Sequence, residues 1–151
     1  MKIFVCGPTV YDSIHLGHAR TYLVYDVLVR YLKLKGFKVI LIVNITDLDD
    51  KVFEKAEWKG IDFKELAKRY TQEFMMGLEK LKINSINAFH KASDYLNEIE
   101  YQIDHLIKKG YAYQVDGDIF FDVSSFPNYG SLSNQTPQEL MLRRLNLDPK
   151  K

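Results

Sequence analysis

Two short, β-branched apolar runs near the start of this chain are separated by a helix-length amphipathic stretch. The runs are residues 2–5 and 37–43, the second centred on Val39-Ile40-Leu41-Ile42-Val43. Strands joined through a helix lie parallel, because a parallel pair needs a long crossover where an antiparallel pair needs only a tight turn. A right-handed βαβ unit is therefore the expectation. The second run is continuously apolar rather than alternating, which predicts a strand covered on both faces. The intervening helix is expected from His15 or Leu16 to about Leu34. Leu16, Ala19, Leu23, Val27, Tyr31 and Leu34 recur at three- and four-residue spacing and predict its buried face. Lys33 and Lys35 suit the negative end of the dipole, and Gly36 suits the stop.

Between the first strand and the helix lies Cys6-Gly7-Pro8-Thr9-Val10-Tyr11-Asp12-Ser13-Ile14-His15-Leu16-Gly17-His18-Ala19-Arg20. Gly7-Pro8 breaks the strand. A strand, a glycine-bearing turn and a helix N-terminus form the usual phosphate-binding arrangement of an α/β sheet. Orphan N–H groups and the positive dipole end would face a ligand past the strand's carboxyl end.

After the second strand, carboxylates at residues 47–50 open a helix that runs to Lys59-Gly60. A longer amphipathic helix follows from Asp62, which pairs with Glu65 as a cap. Its core stripe is Phe63, Leu66, Ala67, Tyr70, Phe74, Leu78 and Leu81. Residues 83–89 read as a connector or short strand. Ser93 or Asp94 caps a further helix through Lys109, with Leu96, Ile99, Ile103, Leu106 and Ile107 inside and Gly110 ending it. Asp116-Gly117 between residues 111–115 and 118–123 is a strong hairpin signal. Thr136-Pro137-Gln138-Glu139 is placed to start a short helix, and Asp148-Pro149-Lys150-Lys151 reads as frayed.

The 151 residues suffice for a proper core. A net charge of +1 excludes the global basic field of a dedicated nucleic-acid binder, although a local patch could still bind RNA. One cysteine excludes an internal disulfide and suits a reducing cytoplasm. No run approaches a transmembrane length, and no signal peptide precedes Cys6.

Taken alone, the chemistry-bearing residues leave alternatives open. Cys6 at a strand end suits a small buried hydrophobe or a metal-binding thiolate. His15 and His18 are a helix cap plus a core histidine, a metal pair, or two donors to phosphate across Gly17. Thr9 and Thr46 stand near the strands' carboxyl ends, as ligand contacts or as caps. Asp47, Asp49 and Asp50 suit magnesium or, more simply, a helix start beside Lys51 and Lys55. Tyr11, Arg20, Tyr22 and Tyr25 shape a pocket wall or pack. His90 and His105 read as surface or structural residues. Lys68-Arg69, Lys108-Lys109 and Arg143-Arg144 read as solvated faces.

His15-Leu16-Gly17-His18 resembles the His-x-Gly-His signature of class I aminoacyl-tRNA synthetases. Cys6-Gly7-Pro8-Thr9-Val10-Tyr11-Asp12 and Asn44-Ile45-Thr46-Asp47-Leu48-Asp49-Asp50-Lys51 bring the resemblance closer, to the cysteinyl-tRNA synthetase family. It continues through residues 118–122 and Tyr129-Gly130-Ser131-Leu132-Ser133 to about Gln135. The resemblance implies an α/β fold. Residues 1–60 would be the first βαβ half of a Rossmann-like (HUP-type) nucleotide-binding sheet. Residues 61–151 would be a mainly helical connecting insertion with a β-hairpin.

It also implies an enzyme that activates cysteine with ATP and magnesium to cysteinyl-adenylate, then transfers it to tRNA-Cys in the cytoplasm. Gly7, His15, Gly17 and His18 would bind ATP, with His15 and His18 stabilising charge on the α-phosphate. Thr9 and Thr46 would contact the amino acid. Cys6 would be one zinc ligand, through which the substrate thiolate is read. The other ligands, the Lys-Met-Ser-Lys-Ser loop and the anticodon-binding domain would belong to the remaining half of the synthetase. On its own the chain would bind nucleotide weakly and not aminoacylate. Two other readings are a cysteine ligase of mycothiol-type biosynthesis and a non-catalytic nucleotide-binding module derived from a synthetase.

Overall fold

The computed structural model describes residues 1–136 and divides into two compact units, Met1–Tyr95 and Leu96–Lys151. The expected helix start at Pro137 to Glu139, the Arg143-Arg144 pair and the frayed end at residues 148–151 lie outside the described residues.

The first unit holds a three-stranded parallel sheet of β1 (Lys2–Val5), β2 (Ile40–Ile45) and β3 (Ala88–Lys91), in the order β1-β2-β3. Helix α1 (Leu16–Leu34) connects β1 to β2. Helices α2 (Asp50–Lys59) and α3 (Phe63–Lys80) connect β2 to β3. The βαβ expectation holds, and β3 shows that part of the 83–89 segment is strand.

All three helices cover one face of the sheet. Ile3, Val5, Leu41, Val43 and Phe89 pack with Tyr22 and Val29 of α1 and with Phe74 and Leu78 of α3. Ile45 continues that face into a second cluster with Val52, Ala56, Leu66, Ala67 and Tyr70. The opposite face carries Phe4, 68% exposed, and Ile40. Among the described residues β2 is covered on one face, where the expectation is cover on both, and its burial alternates along the strand. Unbroken apolarity reflects residue choice, whereas coverage depends on which side the crossovers lie.

The inward face of α1 is also a correction. Its buried residues are Tyr22, Asp26 and Val29, with Tyr25 and Leu32 packed beside them. Of the expected stripe, Leu16 is 87% and Leu34 83% exposed, and Leu23, Val27 and Tyr31 also face outward. The helix is apolar on two sides, so periodicity cannot choose between them. A polar anchor makes the choice. The Asp26 carboxylate accepts from the amides of Asn84 and Ser85 at 3.0 and 2.9 Å and from Arg30 Nε at 2.6 Å. Burial pushes the Asp26 carboxyl upward, but the bonds from Ser85 and Arg30 outweigh it and hold the group below the usual carboxylate range.

Helix α3 buries Leu66, Ala67, Tyr70, Phe74 and Leu78 as its spacing predicts, while Leu81 caps it half-exposed. Asp62 accepts from the amides of Lys64 and Glu65.

The second unit contains α4 (Leu96–Lys108) and a hairpin of β4 (Ala112–Val115) and β5 (Asp118–Phe121). Asp116 and Gly117 both take positive φ, as a tight hairpin turn requires. A short 3-10 turn, Ala92–Tyr95, precedes α4 in place of the expected cap. The stripe Leu96, Ile99, Ile103, Leu106 and Ile107 is not buried. Among the described residues of this unit, none is fully buried.

Candidate functional site

The carboxyl ends of β1 and β2 are locked together beyond their regular ladder. Thr9 and Thr46 form a parallel bridge, with Val10 N–H donating to Thr46 C=O at 3.1 Å and Thr46 N–H to Pro8 C=O at 3.0 Å. Asn44, on β2, binds both sides of the junction. Its Oδ1 accepts from Gly7 N–H at 2.7 Å and its Nδ2 donates to Thr46 Oγ1 at 3.1 Å. A Cβ on residue 7 would lie 1.4 Å from the Asn44 carbonyl oxygen, so glycine is obligatory there. Asn44 was not among the residues expected at the site. Its signal was an amide side chain closing an otherwise apolar strand.

His15 and His18 form a reciprocal cap on α1. His15 Nδ1 accepts from Gly17 N–H at 3.0 Å, and His18 Nδ1 accepts from His15 N–H at 3.2 Å. The rings lie 4.1 Å apart. A side chain at position 17 would strike the His15 ring, which gives Gly17 its place. With Nδ1 accepting on both rings, each neutral imidazole carries its proton on Nε2. Burial, then the neighbouring His15, holds His18 below the usual imidazole range and keeps it neutral.

This alters the expected mode of anion binding. The amides of Gly17, His18 and Ala19 are taken up by His15 itself, so the backbone there is not a ready anion cradle. The donors left at the helix start include the two Nε2–H groups, beside the amide of Leu16.

Cys6 is exposed, so the reading as a small buried hydrophobe does not hold. Its carbonyl accepts from Tyr22 Oη at 3.2 Å, which ties the strand end to α1. Burial, and then the thiol of Cys6, pushes the Tyr22 hydroxyl upward, so it stays protonated and donating. Cys6 can supply one soft ligand to zinc. Among the described residues no group of three metal-ligating side chains comes together, so Cys6 does not make a complete site with its neighbours.

The acidic run serves structure. Asp49 caps α2 through Lys51 N–H at 2.9 Å, and Asp50 lies in the first turn. Asp47 is buried and accepts from Ser93 N–H at 3.0 Å and Oγ at 2.5 Å, which ties the end of β2 to the segment after β3. Lys55 pairs with Asp12 at 2.9 Å and, with the Ser13 amide, holds that carboxyl low. Tyr11 lines a shallow recess of about 220 Å³ with Lys51, Glu54, Lys55 and Trp58. Arg20 is exposed. His90 is bonded to Tyr95 Oη at 2.5 Å, and His105 stacks on Tyr101.

A parallel sheet with helices connecting its strands, carrying a His-x-Gly-His helix start at its carboxyl edge, defines a Rossmann-like nucleotide-binding fold of the class I synthetase kind. Two solved structures share it. A Mycobacterium tuberculosis methionyl-tRNA synthetase in complex with methionyl-adenylate superposes with a TM-score of 0.67 at 22% identity, over 74% of this chain and 23% of that one. Another structure of the enzyme from that organism, bound by methionyl-adenylate, gives 0.65 at 19% identity over 80% and 29%.

The chain belongs to the family of class I (C) tRNA synthetase catalytic domains, which it matches over residues 1–151. Curated relatives named cysteine–tRNA ligase include those of Thermoplasma volcanium, 45% identical over 93% of this chain, and Thermoplasma acidophilum, 44% identical over the same share. The relative from Pyrococcus furiosus is 44% identical over 93% of the chain. The chain spans 31% of the length of the two Thermoplasma relatives.

Proposed function

We propose that this chain carries the cysteine-activating edge of a cysteine–tRNA ligase. The cysteine carboxylate attacks the α-phosphorus of magnesium-bound ATP, the α–β bridging bond breaks, and pyrophosphate leaves. A ribose hydroxyl at the tRNA-Cys 3′ end then attacks the adenylate carbonyl and releases AMP.

The observation that carries this reading is the imidazole cap of α1. Two Nε2–H groups, fixed by the backbone bonds at Nδ1, are ready to donate to phosphate oxygens as charge develops. Donors already oriented cost no reorganisation during reaction. Gly7 and Gly17 are assigned to the nucleotide's side of the site, where their lack of a side chain admits the Asn44 carbonyl and the His15 ring that shape it. Thr46, held by Asn44, and Thr9, bridged to Thr46, contact the amino acid's polar groups. Cys6 would hold zinc, which when bound would supply recognition of the substrate's thiolate over a hydroxyl. Its other ligands come from outside the described residues.

Residues 1–60 are assigned to the catalytic half and 61–151 to the connecting insertion, although α3 packs within the first compact unit. Among the described residues no helix is long and apolar enough to cross a membrane. The assigned location is the cytoplasm, alongside ATP, cysteine and tRNA.

Cysteine-dependent ATP–pyrophosphate exchange by the full-length protein tests the reading. His15→Ala and His18→Ala each lower kcat by about 10²–10³-fold, the usual loss for a transition-state donor. Thr46→Ala chiefly raises KM for cysteine. The folded state disfavours protonation of His18 through burial and then through the neighbouring His15. The cap's contribution is therefore full above about pH 6.5 and declines as the pH falls below it. Equal exchange with serine would overturn the reading. Transfer of activated cysteine to an amino sugar but not to tRNA would replace it with the mycothiol-type ligase.

A further inference from the structure

We propose that the amino end of the sheet is a second RNA-contacting surface, a lysine patch that takes the phosphate backbone of the tRNA served at the carboxyl end. The proposal rests on the ligase reading above. The patch comprises Lys2, Lys33, Lys35, Lys38, Lys80 and Lys82, all exposed. No sequence window shows it, because four segments supply it. Lys2 opens β1 and Lys38 lies just before β2, where the Met1 amino group donates to the Lys38 carbonyl at 2.6 Å. Lys33 and Lys35 end α1, and Lys80 and Lys82 end α3. Arg30 joins the two helix ends, donating to the Lys82 carbonyl at 2.9 Å while bound to Asp26.

Little negative charge offsets this end. Residues 1–5, 26–40 and 78–83 contain two acids, Asp26 and Glu79. Asp26 is buried and committed to Arg30 and the Ser85 amide. Among the described residues none of the six lysines is in an ion pair. A chain of net charge +1 has therefore sorted its charge spatially, with a cationic end remote from the histidine cap.

Helix dipoles account for lysines at the ends of α1 and α3. They do not account for Lys2, which begins β1, or Lys38, which lies just before β2. Helix α1, with 19 residues at about 1.5 Å each, places the patch roughly 28 Å from the His15–His18 cap. One RNA whose 3′ end lies at the cap can reach that far.

The test uses full-length protein, bulk tRNA and fluorescence anisotropy over a range of KCl concentrations. A Lys33→Gln, Lys35→Gln, Lys38→Gln, Lys82→Gln variant should show a shallower slope of log affinity against log salt, by about 0.7–0.9 for each lysine engaged. Its KM for tRNA should rise several-fold, and its cysteine-dependent pyrophosphate exchange should match wild type. The corresponding four Lys→Arg changes should restore the slope, which separates charge from misfolding. An unchanged slope overturns the proposal. So does unchanged tRNA binding in a variant that has lost binding to phosphatidylglycerol vesicles, which would make the patch a lipid-facing surface. Failure of the ligase reading shows separately, as absent exchange in wild type, and the salt slope still decides the patch.

Discussion

The two compact units put their apolar residues to different ends. In Met1–Tyr95, helices press onto one sheet face and close two apolar clusters. Buried polar anchors then fix how they meet: Asp26 to Ser85, Asp47 to Ser93, Asn44 to Gly7. In the second unit the apolar residues of α4 and the hairpin stay part-exposed. Its aromatic pairs, such as Tyr111 with Phe126 and Phe121 with Tyr129, line an open recess of about 380 Å³. Positioning reactive groups to a fraction of an ångström requires the over-determined packing of the first unit. The second shows what local propensity and turn chemistry achieve without a sealed core.

The contrast predicts unequal penalties for the same change. Phe74 is 1% exposed and meets Tyr22 and Phe89 edge-on. Phe74→Ala should cost about 3–5 kcal/mol in urea unfolding followed by far-UV circular dichroism, since the transfer term is lost and a cavity is left. Phe126→Ala should cost well under half of that. Equal losses would mean that the second unit is as well sealed as the first.

Asp26→Ala should cost less, about 2–3 kcal/mol, by removing charge-assisted bonds and stranding the Ser85 amide. Its pH dependence has a definite sign. The folded carboxyl is held below its unfolded value, so its contribution is complete above about pH 4 and disappears as the pH falls through the lowered folded value. The wild-type stability curve should therefore lose acid dependence in the variant. Identical curves would show that Asp26 does not anchor α1.

These anchors also explain what the sequence could and could not disclose. The hairpin at Asp116-Gly117, the Asp62 cap, the carboxylate-rich start of α2 and most of the buried stripe of α3 depend on neighbours within a few residues, and all were legible. That His15 and His18 stand at a helix start and Thr9 and Thr46 near the strands' carboxyl ends was legible from their place between the strands and the helix. Which side of α1 turns inward was not, because both sides are apolar and the decision rests with Asp26, 59 positions from Ser85. Coverage of the sheet on one face was hidden for the same reason: it is set by the path of the crossovers. Asn44 and the lysine patch likewise emerge only when distant segments meet.

Gly117→Ala gives the smallest effect and tests whether the hairpin's turn chemistry stands apart from the core. Gly117 has φ 93° and open space where a side chain would begin, so the substitution meets no steric contact and only the backbone conformation resists it. Forcing a residue with a side chain into that region costs about 1–2 kcal/mol. The strain should fall on the β4–β5 ladder, whose amides should exchange with deuterium faster. Those of β2, buried under α1 and α3, should keep their wild-type protection. Slower exchange than expected in β4 and β5 would mean that the turn relaxes without disturbing the ladder. Faster exchange in β2 as well would mean that the two units unfold together, and that the contrast in their packing is not a contrast in cooperativity.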